Sequence, residues 1–157
     1  MTQRKRILIA VVILLVIAGA VLAVDLLQRK TVTVEPGSVP IYYRARLVDA
    51  LKPEDLERLE QASFVDAEEG KTQEGWLLRD VVLLYLDADV LQPDTWIAVS
   101  SSSRNKTIAL TWAEVKDEAN MVMFDLSGRS TLKLVSMLER LDARDEWVQD
   151  VDKIEIE

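Results

Sequence analysis

The sequence predicts one domain of short strands and short helices behind a single membrane-spanning helix, and three observations predict it. An uninterrupted apolar run occupies positions 7–24. Beyond it, β-branched and alternating apolar segments are interspersed with helix-start signals, with no long helical period. The 127 residues after position 30 suffice for one hydrophobic core and are too few for two.

Arg4, Lys5 and Arg6 precede the apolar run, and no charge follows until Asp25. Its 18 residues, rising about 1.5 Å each, span roughly 27 Å, close to the hydrocarbon thickness of a bilayer. The three cations favour a cytoplasmic amino terminus and an extracytoplasmic remainder. Ile7, Leu14, Leu15 and Val24 mark the expected anchor in the cytoplasmic membrane. Ala18-Gly19-Ala20 and Val21-Leu22-Ala23 also resemble cleavage sites, so a cleaved signal peptide is the alternative to the preferred retained anchor. The chain thus divides into a basic tip and anchor (1–27), a linker with a first strand (28–39) and an extracytoplasmic domain (40–157).

Charge and composition exclude several function classes. After residue 30 the chain carries 14 Lys and Arg against 26 Asp and Glu. Such a surface repels phosphate backbones, so no nucleic-acid partner is expected. With no Cys and no His there is no disulfide, no thiolate metal site, no Ser-His-Asp triad and no His- or Cys-ligated haem.

The elements follow in order. Thr31-Val32-Thr33-Val34 alternates as a first strand, Glu35-Pro36-Gly37-Ser38 is a turn, and 41–47 continues extended. Pro53 opens a helix with Glu54, Asp55 and Glu57 at its positive end and Leu56 and Leu59 on its buried face. A strand over 62–66 leads into a loop over 68–75. The apolar residues of 77–86 nearly fill the window, and Gly75 with Trp76 before it and Asp87 with Asp89 after it favour a helix. Strands are expected over 95–100 and 107–110, and Thr111-Trp112-Ala113-Glu114 forms a capping box for a short helix ending near Asp117. Two strands, 121–126 and 130–137, flank a Ser127-Gly128 turn, and 151–156 closes the chain in strict alternation.

The order of these pieces resembles the sulfite-oxidase-type molybdopterin-binding domain. Glu74-Gly75-Trp76-Leu77-Leu78-Arg79-Asp80-Val81-Val82 is similar to that family's glycine and leucine-arginine-aspartate helix start. Thr131-Leu132-Lys133-Leu134-Val135 resembles its proline-leucine-arginine-leucine-valine strand. The ending from Trp147-Val148 to Ile154-Glu155-Ile156 resembles the family's tryptophan-valine and isoleucine-glutamate close, and Lys52-Pro53-Glu54-Asp55-Leu56 its introductory helix. The resemblance implies a mixed α+β fold and, in catalytic members, molybdopterin held by a cysteine thiolate with Arg and His. This chain has no thiolate, and Ser100-Ser101-Ser102-Ser103-Arg104-Asn105 replaces the family's aspartate-glycine-tyrosine loop. No catalytic residue carries over and no cofactor is expected; molybdopterin is the alternative that the family implies.

Candidate sites are few. Ser102, Ser103, Arg104 and Asn105 offer hydroxyls and a guanidinium to an oxyanion, against the simpler reading of a polar hairpin. Asp87, Asp89 and Asp94 have oxygen-ligand spacing but lack the glycine and distal glutamate of a calcium loop. Glu68 and Glu69 suit either an acid/base pair or a solvated loop. Trp76, Trp96, Trp112 and Trp147 are expected in the core, and an exposed one would mark a partner surface. The expectation is a non-catalytic, membrane-anchored accessory or binding domain with a membrane-protein partner. The alternatives are a molybdopterin-dependent oxidoreductase component, expected to show a pocket where Arg79, Arg104 and Arg129 converge, and an anchored solute sensor, expected to show an apolar pocket with a few polar groups.

Overall fold

A computed structural model of the chain describes residues 13–17, 19, 34–128 and 130–157. The chain forms two compact units, Met1–Thr31 and Val32–Glu157. In the first, 13–17 and Gly19 are helical, with Leu14 and Leu15 exposed. Ile7, Val24 and the expected strand residues Thr31, Val32 and Thr33 lie outside the described residues. Among the described residues no helix is long and apolar enough to cross a membrane.

The second unit is α+β, mostly strand with few and short helices. Val34 is exposed and non-strand, so the first described strand is β1, Val39–Tyr43. It is entered through the expected turn, where the Ser38 amide donates to the Glu35 carbonyl at 3.1 Å and Gly37 takes φ +89°. A glycine suits that left-handed position after Pro36. β1 does not run on to Leu47. Arg44 and Ala45 adopt φ +49° and +60°, closing a two-residue hairpin into β2, Arg46–Leu51. The primed turn normally calls for Asn-Gly, and neither residue here announces it. The chain holds the conformation by context, the Arg44 amide donating to the Ile156 carbonyl at 2.8 Å.

Helix α1 is a single turn, Pro53–Leu56. β3, Ala62–Val65, then pairs antiparallel with β4, Thr72–Leu77. β4 overturns the loop expected to last until Gly75. Its buried positions begin with Gln73 and Gly75, neither of them apolar, so the alternation that marks a strand was hidden. The expected helix over 77–86 contracts to α2, Leu78–Leu83, because Leu77 still pairs with Met123 as strand.

β5, Trp96–Ser101, and β6, Lys106–Thr111, form a hairpin, followed by α3, Trp112–Lys116. The capping box is present: the Glu114 amide donates to Thr111 Oγ1 at 3.2 Å, and Glu114 Oε2 accepts from the Thr111 amide at 2.7 Å. β7, Met123–Leu126, β8, Leu132–Val135, and β9, Lys153–Ile156, are each shorter than expected.

The sheets are one mixed and one antiparallel. Five strands run in the order β2-β1-β9-β5-β6, with only β1 and β9 parallel, and four in the order β3-β4-β7-β8. β9 is central, and its alternation sends Ile154 and Ile156 inward, each fully buried and contributing about 2 kcal/mol by removal from water. The four-stranded sheet is covered on both faces. Phe124 and Leu134 join the main core with Leu78, Ile97 and Ile154, while their neighbours Met123 and Val135 pack with Phe64 and Trp147 on the opposite side.

Candidate small-ligand cleft

A cleft of about 640 Å³ draws its walls from both sheets, within the size range of small-molecule sites. Val39 of β1, Leu51 of β2 and Leu56 of α1 supply apolar surface from one sheet and its following turn. Trp76 of β4 and Leu132 of β8 supply it from the other. The wall at α1 is fixed by Asp55, whose Oδ2 accepts from the Lys52 amide at 3.0 Å and from the Tyr85 hydroxyl at 2.8 Å. Burial and the Asp55 carboxylate both push the Tyr85 hydroxyl upward, so it stays protonated and donating.

Lys52 and Glu57 add charge to the lining, and residues 150–152, which tie the two sheets together, supply two further carboxylates. The Val151 amide donates to the Leu132 carbonyl at 2.9 Å, and the Asp152 amide to the Ser100 carbonyl at 3.0 Å. Asp150 takes φ +55° at the crossing. Its Oδ2 accepts from Arg104 Nε at 2.7 Å and its Oδ1 from the Thr131 hydroxyl at 2.8 Å. Asp152 Oδ2 accepts from the Ser102 amide at 2.8 Å, while its Oδ1 is buried and accepts no hydrogen bond among the described residues.

The expected anion loop is therefore already furnished with carboxylates. Ser103 lines the cleft, the Ser102 amide is held by Asp152, the Arg104 guanidinium by Asp150, and Asn105 turns the hairpin at φ +48°. Of the three arginines, the two described are each held by carboxylates. Arg79 binds Asp80 at 2.8 Å and Glu118 at 2.7 Å, Arg104 binds Asp150, and Arg129 lies outside the described residues.

Glu68 and Glu69 lie at a second cleft of about 340 Å³ with Lys133, Arg144 and Trp147. Glu68 Oε2 accepts from the Arg144 amide at 3.0 Å, and Glu69 pairs with Lys71 at 2.6 Å and Arg144 at 2.8 Å. The Lys71 hydrogen bond, with Arg144 beside it, holds the Glu69 carboxyl below its ordinary value, the wrong direction for a general acid. Asp87, Asp89 and Asp94 are exposed, and no group of three metal-ligating side chains forms among the described residues. Trp112 and Trp147 are core residues, Trp76 lines the large cleft, and Trp96 stands 55 % exposed.

No family model and no curated protein matches this chain. Asp150 and Asp152 went unrecognised in the sequence because they sit beside the alternating run of the last strand, where an acidic residue between apolar ones reads as an outward-facing position. Only the crossing of 150–152 between the sheets turns them toward the cleft.

Proposed function

We propose that the chain is a membrane-anchored extracytoplasmic binding domain, non-catalytic, on a scaffold of the sulfite-oxidase molybdopterin-domain type, and that its contact is with a small ligand in the cleft between the sheets. The cleft carries this reading: it is walled by Val39, Leu51, Leu56, Trp76 and Leu132, and a few polar side chains, Lys52, Glu57, Asp150 and Asp152 among them, share its lining. That combination favours the solute-binding form of an accessory domain over a purely protein-protein contact. The apolar run 7–24 supports tethering at a membrane, which raises the local concentration of the domain for a partner in the same bilayer.

The residues do not fit molybdopterin. The chain offers no soft sulfur ligand for the metal, and Arg79 and Arg104 are spent on Asp80, Glu118 and Asp150 rather than converging on a phosphate. The test is metal and pterin content of the full-length protein extracted from its native membrane, by elemental mass spectrometry and fluorescence of the oxidised pterin. Neither metal nor pterin, with a small molecule retained by the protein and lost in Leu132→Trp, is the expected outcome. Stoichiometric molybdenum or tungsten with pterin overturns it.

A further inference from the structure

We infer that β3 is a docking edge, which takes an extended segment of a partner protein as an added strand of its sheet, and that this segment is basic. The site is separate from the cleft and does not depend on it. The two sheets have four edge strands, β2, β6, β3 and β8. Three of them have backbone groups held by the chain itself. On β8 the Leu134 amide donates to the Val148 carbonyl at 2.8 Å, and the Leu132 carbonyl accepts from the Val151 amide at 2.9 Å. On β6 the Thr111 amide donates to Glu114 Oε2 at 2.7 Å, and the Ala109 carbonyl accepts from Arg140 Nη2 at 3.1 Å. On β2 the Ala50 amide donates to Asp49 Oδ1 at 2.8 Å. Groups engaged in this way are withheld from another strand.

β3 differs. The Asp66 amide donates to the Lys71 carbonyl at 2.9 Å just beyond the strand, so Asp66 directs its backbone groups toward β4, and by alternation Phe64 and Ala62 do the same. Ser63 and Val65 therefore direct theirs away from the sheet. Both residues are exposed, Val65 by 59 %, and their outward amides and carbonyls have no partner among the described residues. Amides and carbonyls two residues apart are what an added strand pairs with, and its alternate side chains then supply specificity. A β-branched residue fits beside Val65, whose exposed apolar surface it covers. The next position on the same face lies beside Ser63, which is in register with Glu74. Glu74 and Glu60 are exposed and have no ion pair among the described residues, whereas Lys71 is held by Glu69 at 2.6 Å. A Lys or Arg of the added strand can lie across Ser63 toward Glu74. The excess of acid after residue 30, 26 Asp and Glu against 14 Lys and Arg, attracts the same sign and opposes a second copy of this chain.

The test is amide hydrogen exchange, followed residue by residue by NMR, on the full chain in phosphatidylcholine nanodiscs. The probes are acetyl-Thr-Lys-Thr-Val-Thr-Lys-amide, whose valine has a lysine two residues away on either side and so fits in both strand directions, and the same peptide with Glu in place of Lys. Saturating lysine peptide is expected to slow exchange of the Ser63 and Val65 amides at least tenfold, and the glutamate peptide to leave it unchanged. Val65→Pro removes an outward N–H without changing charge, at an edge position where proline is tolerated. It is expected to abolish the protection of Ser63 while keeping the wild-type urea midpoint. The double variant Glu60→Gln, Glu74→Gln, altered only at exposed side chains, is expected to bind the lysine peptide several-fold more weakly. No protection at Ser63 and Val65, or wild-type protection of Ser63 in Val65→Pro, overturns the docking edge. Protection by the glutamate peptide, or an unchanged affinity in the double variant, overturns the basic partner.

Discussion

Gly75 of β4 lies against the carbonyl of Phe124 in β7, so closely that a Cβ on residue 75 would stand 1.8 Å from the Phe124 oxygen. The glycine is needed here for close approach of two backbones, not for an unusual φ. The neighbouring pair Trp76 and Phe124 is in register, and both side chains belong to the main core. Gly75→Ala must therefore push β7 away from β4, because the obstructing atom is backbone and cannot rotate aside. Overpacking of this kind is expected to cost about 3 kcal/mol. Urea denaturation should show a lower midpoint with an unchanged slope; a midpoint equal to wild type would mean that the strands separate freely.

The same glycine shows what could and could not be read in advance. Glu74-Gly75-Trp76-Leu77 has the look of a loop entering a helix, and a helix does begin nearby, at Leu78. What the sequence conceals is that Gln73 and Gly75 are the inward residues of a strand, one buried through hydrogen bonds and the other because it has no side chain. Elements whose buried face is apolar, such as Ile154 and Ile156 in β9, were legible from alternation alone. So was the capping box of Thr111 and Glu114, whose partners are three residues apart. The Arg44-Ala45 turn and the Asp150 to Asp152 crossing were not, because each depends on a backbone held by another strand. The cleft shares that dependence, for its walls are far apart in sequence and two of its carboxylates come from the crossing.

Asp66 predicts how the domain responds to acid. It is 2 % exposed, and its carboxylate accepts from the Glu69 amide at 2.6 Å and from Gln73 Nε2 at 2.8 Å, with Arg144 at 3.7 Å. The Glu69 amide first, then Gln73 and Arg144, outweigh burial and hold its pKa below the ordinary value. A folded pKa below the unfolded one contributes stability above about pH 4, and that contribution is lost as pH falls through the folded value. Asp66→Asn is expected to be less stable than wild type at pH 7. The difference between their urea midpoints should shrink as pH falls below about 4. A gap that stays constant down to the acid transition would show that the charge contributes nothing.

Thr111 isolates the value of one cap. Its hydroxyl accepts the Glu114 amide, but its own amide is bound by Glu114 Oε2 and needs no side chain. Thr111→Ala therefore removes half of the reciprocal pair and is expected to cost about 1 kcal/mol, with Thr111→Ser close to wild type. Burial disfavours the Glu114 charge, yet the Thr111 amide and Arg140 hold its pKa down, so the carboxylate stays in place when the hydroxyl is lost. Equal destabilisation by serine and alanine would point to lost methyl packing instead of a lost cap.

The Ser102 to Asn105 loop gives the last prediction, because its donors and its counter-ions belong to the same chain. Arg104 donates to Asp150 at 2.7 Å and the Ser102 amide to Asp152 at 2.8 Å, so an external oxyanion would have to displace two carboxylates that are covalently tethered close by. Tethering makes the internal acceptors effectively far more concentrated than free sulfate. The wild-type protein is accordingly expected to show no sulfate-dependent shift of the 102–105 amide resonances. Asp150→Asn, which removes the charge facing Arg104, is expected to acquire one. Arg104→Ala is expected to cost less than about 1 kcal/mol, since the Arg104 side chain is 41 % exposed and its pair with Asp150 is screened by water. A sulfate response in the wild type that disappears in Arg104→Ala would make the hairpin an anion site and place the Asp150 pairing in competition with it.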